Sequence, residues 1–169
     1  AADGGPQWQT YHLDQLVPWV DRELRTVAER RGRAIAGLSM GGYGATKYAV
    51  LHPDRFVFAA SFSGAPDVSE EGSLVPIVLP GLDGGTPGSV WGLPGLSAQR
   101  WRAENPGEMA ENLAPVRYEL RTGDGRPGPL DEGGLPLDPI EALVHRSTIR
   151  MHERLVALGI GHVWDDYGA

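Results

Sequence analysis

From Leu13 onward the apolar residues fall at 13, 16, 17, 20, 24, 27 and 28, while Asp14, Asp21, Arg22, Glu23, Arg25 and Glu29 lie between them. Spacings of three and four gather the apolar set on one side of a helix, so the pattern predicts an amphipathic helix that Gly32 ends. Pro18 either opens its regular part or kinks it, because proline has no N–H to donate and its ring crowds the preceding turn. Residues 1–9 carry Gly and Pro without periodicity and read as loop. After Gly32 the pattern changes. Ala34-Ile35-Ala36 is a short apolar run that suits a buried parallel strand, a helix follows to His52-Pro53-Asp54, and Phe56–Phe62 is aromatic and β-branched enough for a second strand. Together they predict a βαβ unit.

The second half is less regular. Ser63 to about Gly95 is Gly, Pro and Ser with scattered apolar residues, too long for an ordinary connection and too apolar at 74–79 for a free linker. It reads as an excursion over the C-terminal edge of the sheet. Trp91 and nearby leucines are candidate walls of an acyl pocket there, with simple pinning of the loop as the alternative. Trp101–Leu113 suggests one or two short helices started by Asn105-Pro106, and Val116–Thr122 a third strand closed by Gly123-Asp124-Gly125. Asp138-Pro139-Ile140-Glu141 has the form of a capping box opening a helix whose buried stripe is Ile140, Val144, Met151 and Leu155, with Gly159 at its end. His162–Tyr167 reads as a fourth strand.

Candidate chemistry concentrates where the first strand turns into its helix. Gly37-Leu38-Ser39-Met40-Gly41 is a G-x-S-x-G nucleophile elbow, and Ser39 is its apex. So tight a turn holds the serine in a strained backbone conformation, and a β-carbon at either flanking glycine is expected to strike the strand or the helix. Gly41, Gly42, Gly44 and Ala45 fit a helix packed closely on the strand. The hydroxyl then stands beside a helix N-terminus, whose unpaired N–H groups favour a developing oxyanion.

Composition narrows the function classes. The 169 residues suit one domain with a true core. A net charge of -7 without a basic cluster argues against nucleic acid or anionic membrane as partner, and Arg30, Arg31 and Arg33 read as the solvated end of a helix. The absence of cysteine removes disulfides and thiol catalysis, no apolar run reaches membrane-spanning length, and no metal-ligand spacing calls for a metal or other cofactor.

The run GLSMGGYGA at 37–45, with His52-Pro53-Asp54-Arg55-Phe56 and Ser61-Phe62-Ser63-Gly64, resembles the esterase family of α/β-hydrolases that includes S-formylglutathione hydrolases, tributyrin and feruloyl esterases, and the mycolyltransferase antigens. Weaker echoes at 91–92, 105–106, 122–125 and 165–168 extend the likeness over most of the chain. The mycolyltransferases stand further off, since other residues usually follow their Ser-Met. The resemblance implies a three-layer α/β-hydrolase fold with a mostly parallel sheet, incomplete at both ends, residues 1–169 being its central and C-terminal part. It implies Ser39 as acyl-accepting nucleophile and the Met40 N–H as half of the oxyanion hole. It also implies Glu141 as the acid that orients the base, a role that competes with capping; Asp124 and Asp131 are the alternative acids. Secretion is common among such proteins, and the compartment stays open.

The base is the missing part. The family carries it in a turn just after the last strand, where this sequence reaches Ala169. His162 should lie about 15 Å or more from the Ser39 edge at the rise of an extended chain. His12, His145 and His152 fall on flanking helices, and His52 ends the elbow helix. The expectation is therefore a fragment of a serine esterase acting on small-molecule or lipid esters. An acyltransferase and a non-enzymatic hydrolase-fold scaffold are the alternatives.

Overall fold

A computed structural model describes residues 7–69, 88–93, 96–129 and 137–168. Four parallel strands, β1 (Ala34–Leu38), β2 (Phe58–Phe62), β3 (Arg117–Gly123) and β4 (Val163–Gly168), lie side by side in the order β1-β2-β3-β4. The register sets Gly37, Ser61, Leu120 and Trp164 in one row across the sheet. All four strands therefore end at one edge, where the connecting turns gather.

The first helix departs from the periodic reading. It begins earlier, with α1 (Trp8–Thr10) passing through a π-helical stretch (Tyr11–Leu16) into α2 (Val17–Glu23). Pro18 explains the π turn. The Val17 N–H bonds the His12 carbonyl five residues back, and Pro18 has no N–H, so the Leu13 carbonyl is left over. Arg55 satisfies it at 2.8 Å and pairs with Asp14 at 3.1 Å. The helix stops at Glu23 rather than near Gly32, and Leu24 and Val27 are exposed. Helices this short persist through packing, and an apolar stripe without a packing partner does not extend one. Of the three arginines read as solvated, only Arg31 is: Arg30 donates to the carbonyls of Pro53 and Pro115, and Arg33 pairs with Asp21.

The remaining helices are α3 (Met40–Leu51), α4 (Ala98–Glu104), a 3₁₀ stretch (Pro106–Leu113) and α5 (Pro139–Ala157). Ala49, Val50, Ala59, Leu113, Tyr118, Leu120, Met151 and Leu155 form the main core between α3, the 3₁₀ stretch, α5 and the sheet. Each large apolar side chain buried there contributes roughly 1.5–3 kcal/mol. Of the predicted stripe on α5, Val144, Met151 and Leu155 are buried; Ile140, 39% exposed, is not, and Ser147 and Thr148 are buried instead. Those hydroxyls are satisfied, Ser147 by the Asp67 carbonyl and Thr148 by those of Gly64 and Val144. Alternate residues of β3 divide the sheet: Tyr118, Leu120 and Thr122 face the helices, whereas Arg117, Glu119 and Arg121 face away. β1 is parallel as expected but not buried: Ala34, Ala36 and Leu38 are exposed and Ile35 and Gly37 only half-buried. Leu38 is 69% exposed, because the described helices cover one face of the sheet and β2 is the one described neighbour of β1.

Beside α5, His162 Nδ1 lies 2.9 Å from the Ile160 carbonyl and so carries its proton; its Nε2 then accepts from His152 Nδ1 at 2.8 Å. His152 also stacks on Trp164 at 4.4 Å. Burial and the neighbouring His162 hold His152 below the usual value of 6.5, partly offset by Glu153. A histidine depressed in the folded state is neutral in both states at high pH, and protonation favours the unfolded chain as pH falls through 6.5. Urea midpoints should therefore show the wild type losing stability relative to His152→Phe between about pH 7.5 and about pH 5, with the two parallel at higher pH.

Candidate active site

The turn between β1 and α3 has the geometry its sequence demands. Ser39 adopts φ 53° and ψ −117°, a region costly to any residue with a β-carbon. Three hydrogen bonds hold it there. The Ser39 N–H donates to the Phe62 carbonyl at the end of β2 (2.9 Å), and the Ser39 carbonyl accepts from the N–H groups of Gly42 (2.9 Å) and Tyr43 (3.2 Å). Met40 opens α3, so its N–H has no intrahelical acceptor and sits at the positive end of the helix dipole.

The glycines divide unequally. A β-carbon on Gly37 would come within 2.2 Å of the Gly41 backbone, and one on Gly42 within 2.5 Å of the Ser61 hydroxyl. Gly41 and Gly44 meet nothing within 4 Å, which corrects the expectation that both glycines flanking Ser39 are sterically required. The physical reason is direction: the Gly37 hydrogens face the helix, whereas Gly41, already inside it, points outward.

Glu141 comes to the same edge from the first turn of α5, which shares the main core with α3. The capping box forms by half only: Asp138 Oδ1 accepts from the N–H groups of Ile140 (2.8 Å) and Glu141 (3.1 Å), but the Asp138 N–H goes to the Gly125 carbonyl. The Glu141 carboxylate is thus free of the cap. Its Oε1 accepts from the Ser63 hydroxyl at 2.6 Å and from the Gly123 N–H, at the end of β3, at 3.0 Å. The Thr122 hydroxyl approaches to 3.5 Å, and Tyr167 OH lies 3.4 Å from Ser63 Oγ. Ser63 went unassigned in the sequence reading, and it too has a positive φ, 42°. Its one sequence signal is position, directly after a strand in the Ser-Phe-Ser-Gly run.

The other candidates lie elsewhere. Asp124 follows β3 but turns back, accepting from the Arg126 N–H at 2.8 Å. Asp131 falls outside the described residues. Trp91 packs against Tyr43 and Trp101, with ring centres 5.6 and 5.5 Å away, which pins its segment to α3 one turn beyond Ser39. His12 meets Tyr48, His52 meets Gln9 and His145 meets Asp166 at 3.0 Å; among the described residues no histidine hydrogen-bonds Ser39 or Glu141. No described group of three or more acidic or histidine side chains is placed to hold a metal.

Residues 1–124 match a family model described as "Putative esterase". Esterase Rv1288 of Mycobacterium tuberculosis is 36% identical over 166 residues, covering 94% of this chain and 35% of that protein. Diacylglycerol acyltransferase/mycolyltransferase Ag85B of Mycobacterium leprae is 30% identical over 160 residues, covering 92% of this chain and 47% of that protein. This mycolyltransferase is less similar to the chain than the esterase Rv1288 is, in line with the expectation. The crystal structure of Mycobacterium tuberculosis MPT51 aligns with a TM-score of 0.74 at 26% identity, over 97% of this chain and 61% of that one. The chain thus spans between about a third and three fifths of the length of these relatives.

Thermal unfolding tests the two sides of the elbow separately. Gly37→Ala should cost about 3 kcal/mol or more, because backbone stands in its way, while Gly41→Ala should be neutral or stabilise by up to ~1 kcal/mol as a helix residue.

Proposed function

The chain belongs to the esterase family of that model, and on this premise we propose that it carries the nucleophile and the acid of a serine esterase, Ser39 and Glu141. The observation that carries the reading is the convergence of two independent departures from local preference. Ser39 is held in a conformation its own type disfavours, and Glu141 gives up its capping bond to place a carboxylate at the same end of the sheet.

In the first half-reaction Ser39 Oγ attacks the carbonyl of a small-molecule or lipid ester while a histidine takes its proton. The carbonyl oxygen becomes an oxyanion beside the Met40 N–H, and its collapse expels the alcohol or thiol with the proton from the histidine. Water, activated by the same histidine, then releases the acid and restores Ser39. Glu141 fixes the imidazole by accepting its second N–H. The five histidines described here have other partners, so the base is proposed to be a histidine outside residues 1–169. Trp91, close to α3, is a proposed wall of the acyl site.

A second reading is favoured by the Ag85B relative: an alcohol acceptor replaces water in the second step, which makes the same site an acyltransferase. A third, the non-enzymatic scaffold, draws on the absence of a histidine at Ser39 among the described residues.

Hydrolysis of p-nitrophenyl butyrate separates these readings. A form extended beyond both ends of the 169 residues should be active and lose at least about 10³-fold in kcat on Ser39→Ala, whereas the 169-residue chain alone should be silent. Added alcohol acceptor should divert product only in an acyltransferase. Activity untouched by Ser39→Ala would overturn the assignment of the nucleophile, and silence together with no labelling by a fluorophosphonate would favour the scaffold.

A further inference from the structure

Ser63 stands in an unfavourable conformation for its residue type. At φ 42° a glycine or asparagine costs less backbone strain. What serine adds at this position is a hydroxyl, and that hydroxyl donates to Glu141 Oε1 at 2.6 Å, the short length of a bond to a charged acceptor. Its neighbours leave it little choice of partner. Ser63 is 8% exposed, its N–H is taken by the Arg121 carbonyl at 2.8 Å, and Tyr167 OH can donate to the lone pair of Ser63 Oγ.

We propose that Ser63 is a positioning residue that sets the rotation of the Glu141 carboxylate. The proposal rests on the reading of Glu141 as the triad acid. Two donors from two different strands, the Ser63 hydroxyl after β2 and the Gly123 N–H at the end of β3, converge on one oxygen and fix the carboxylate plane. Oε2 then has no described protein partner and is the oxygen left to accept an imidazole N–H. The same stretch of chain holds the nucleophile, since the carbonyl of the preceding residue, Phe62, accepts from the Ser39 N–H. A peptide between two strained serines thus ties the nucleophile turn to the acid, and any rotation of Glu141 without Ser63 would misalign the base that links them.

The test uses the active, extended form with p-nitrophenyl butyrate, comparing Ser63→Gly, Ser63→Ala, Glu141→Gln and the Ser63→Gly/Glu141→Gln double variant for kcat, KM and Tm. Glycine relieves the strain and removes the donor, so Ser63→Gly should lower kcat by roughly 10–100-fold with KM within about threefold, while Tm stays level or rises. Ser63→Ala keeps the strain and should match the loss in kcat at a lower Tm. In the Glu141→Gln background, adding Ser63→Gly should lower kcat by less than about threefold, because the residue through which Ser63 acts is already disabled. Full activity of Ser63→Gly beside a crippled Glu141→Gln would overturn the positioning role and leave the acid assignment standing. Losses that multiply in the double variant would also overturn it, by showing that Ser63 acts elsewhere. Full activity of Glu141→Gln would instead remove the acid assignment itself.

Discussion

The bond from the Ser39 N–H to the Phe62 carbonyl is the constraint on which the rest of the site depends. A serine at φ 53° is not stable by itself; it persists because the end of β2 and the first turn of α3 both hold it. That demand propagates. β1 and α3 must approach closely, which requires Gly37 opposite the Gly41 backbone and Gly42 against Ser61. The close approach buries the Ser61 hydroxyl, which has no hydrogen-bond partner among the described residues, so part of the cost of the elbow is an unsatisfied donor beneath it.

Glu141 is anchored by different means. α5 is fastened to the segment after β2 through Asp67, which is almost fully buried. The Asp67 carbonyl accepts from Ser147 and Arg150, and its carboxylate accepts from the Asn105 side chain and faces Arg154 at 3.3 Å. Moving the helix would break both bonds to the Asp67 carbonyl and take Arg154 away from a carboxylate that water barely reaches. The first turn of α5, and Glu141 with it, is therefore carried by a helix fixed at its middle and last turn. The core of Tyr118, Leu120, Met151 and Leu155 closes the space between. Ser39 and Glu141 are thus held by separate supports that meet at Phe62 and Ser63.

The elbow, the four strands and the last helix were legible because each depends on near neighbours: glycines at fixed offsets, alternating β3 residues, an Asp-Pro start. Trp8–Glu23 was misjudged at both ends. Its apolar period continues through Leu24 and Val27, but a period records only which residues share a side, not whether anything lies against that side. The roles of Arg30 and Arg33 were missed for a similar reason, their partners being Pro53, Pro115 and Asp21. Ser63 was invisible, since its meaning is a carboxylate 78 residues away.

The sequence by itself determined the strained serine turn, the strand and helix that flank it, and the pool of acids from which a partner could be drawn. It left Glu141 divided between capping its helix and serving the site, because the Asp-Pro-Ile-Glu pattern is the same in both. Only the tertiary structure decided that the Glu141 carboxylate does not close the capping box. The Asp138 N–H is satisfied by the Gly125 carbonyl, and the ends of β2 and β3 bring the Ser63 hydroxyl and the Gly123 N–H to the carboxylate. A capping bond is a contest among neighbours in sequence, and here it was settled by donors that only the packing of a parallel sheet could supply.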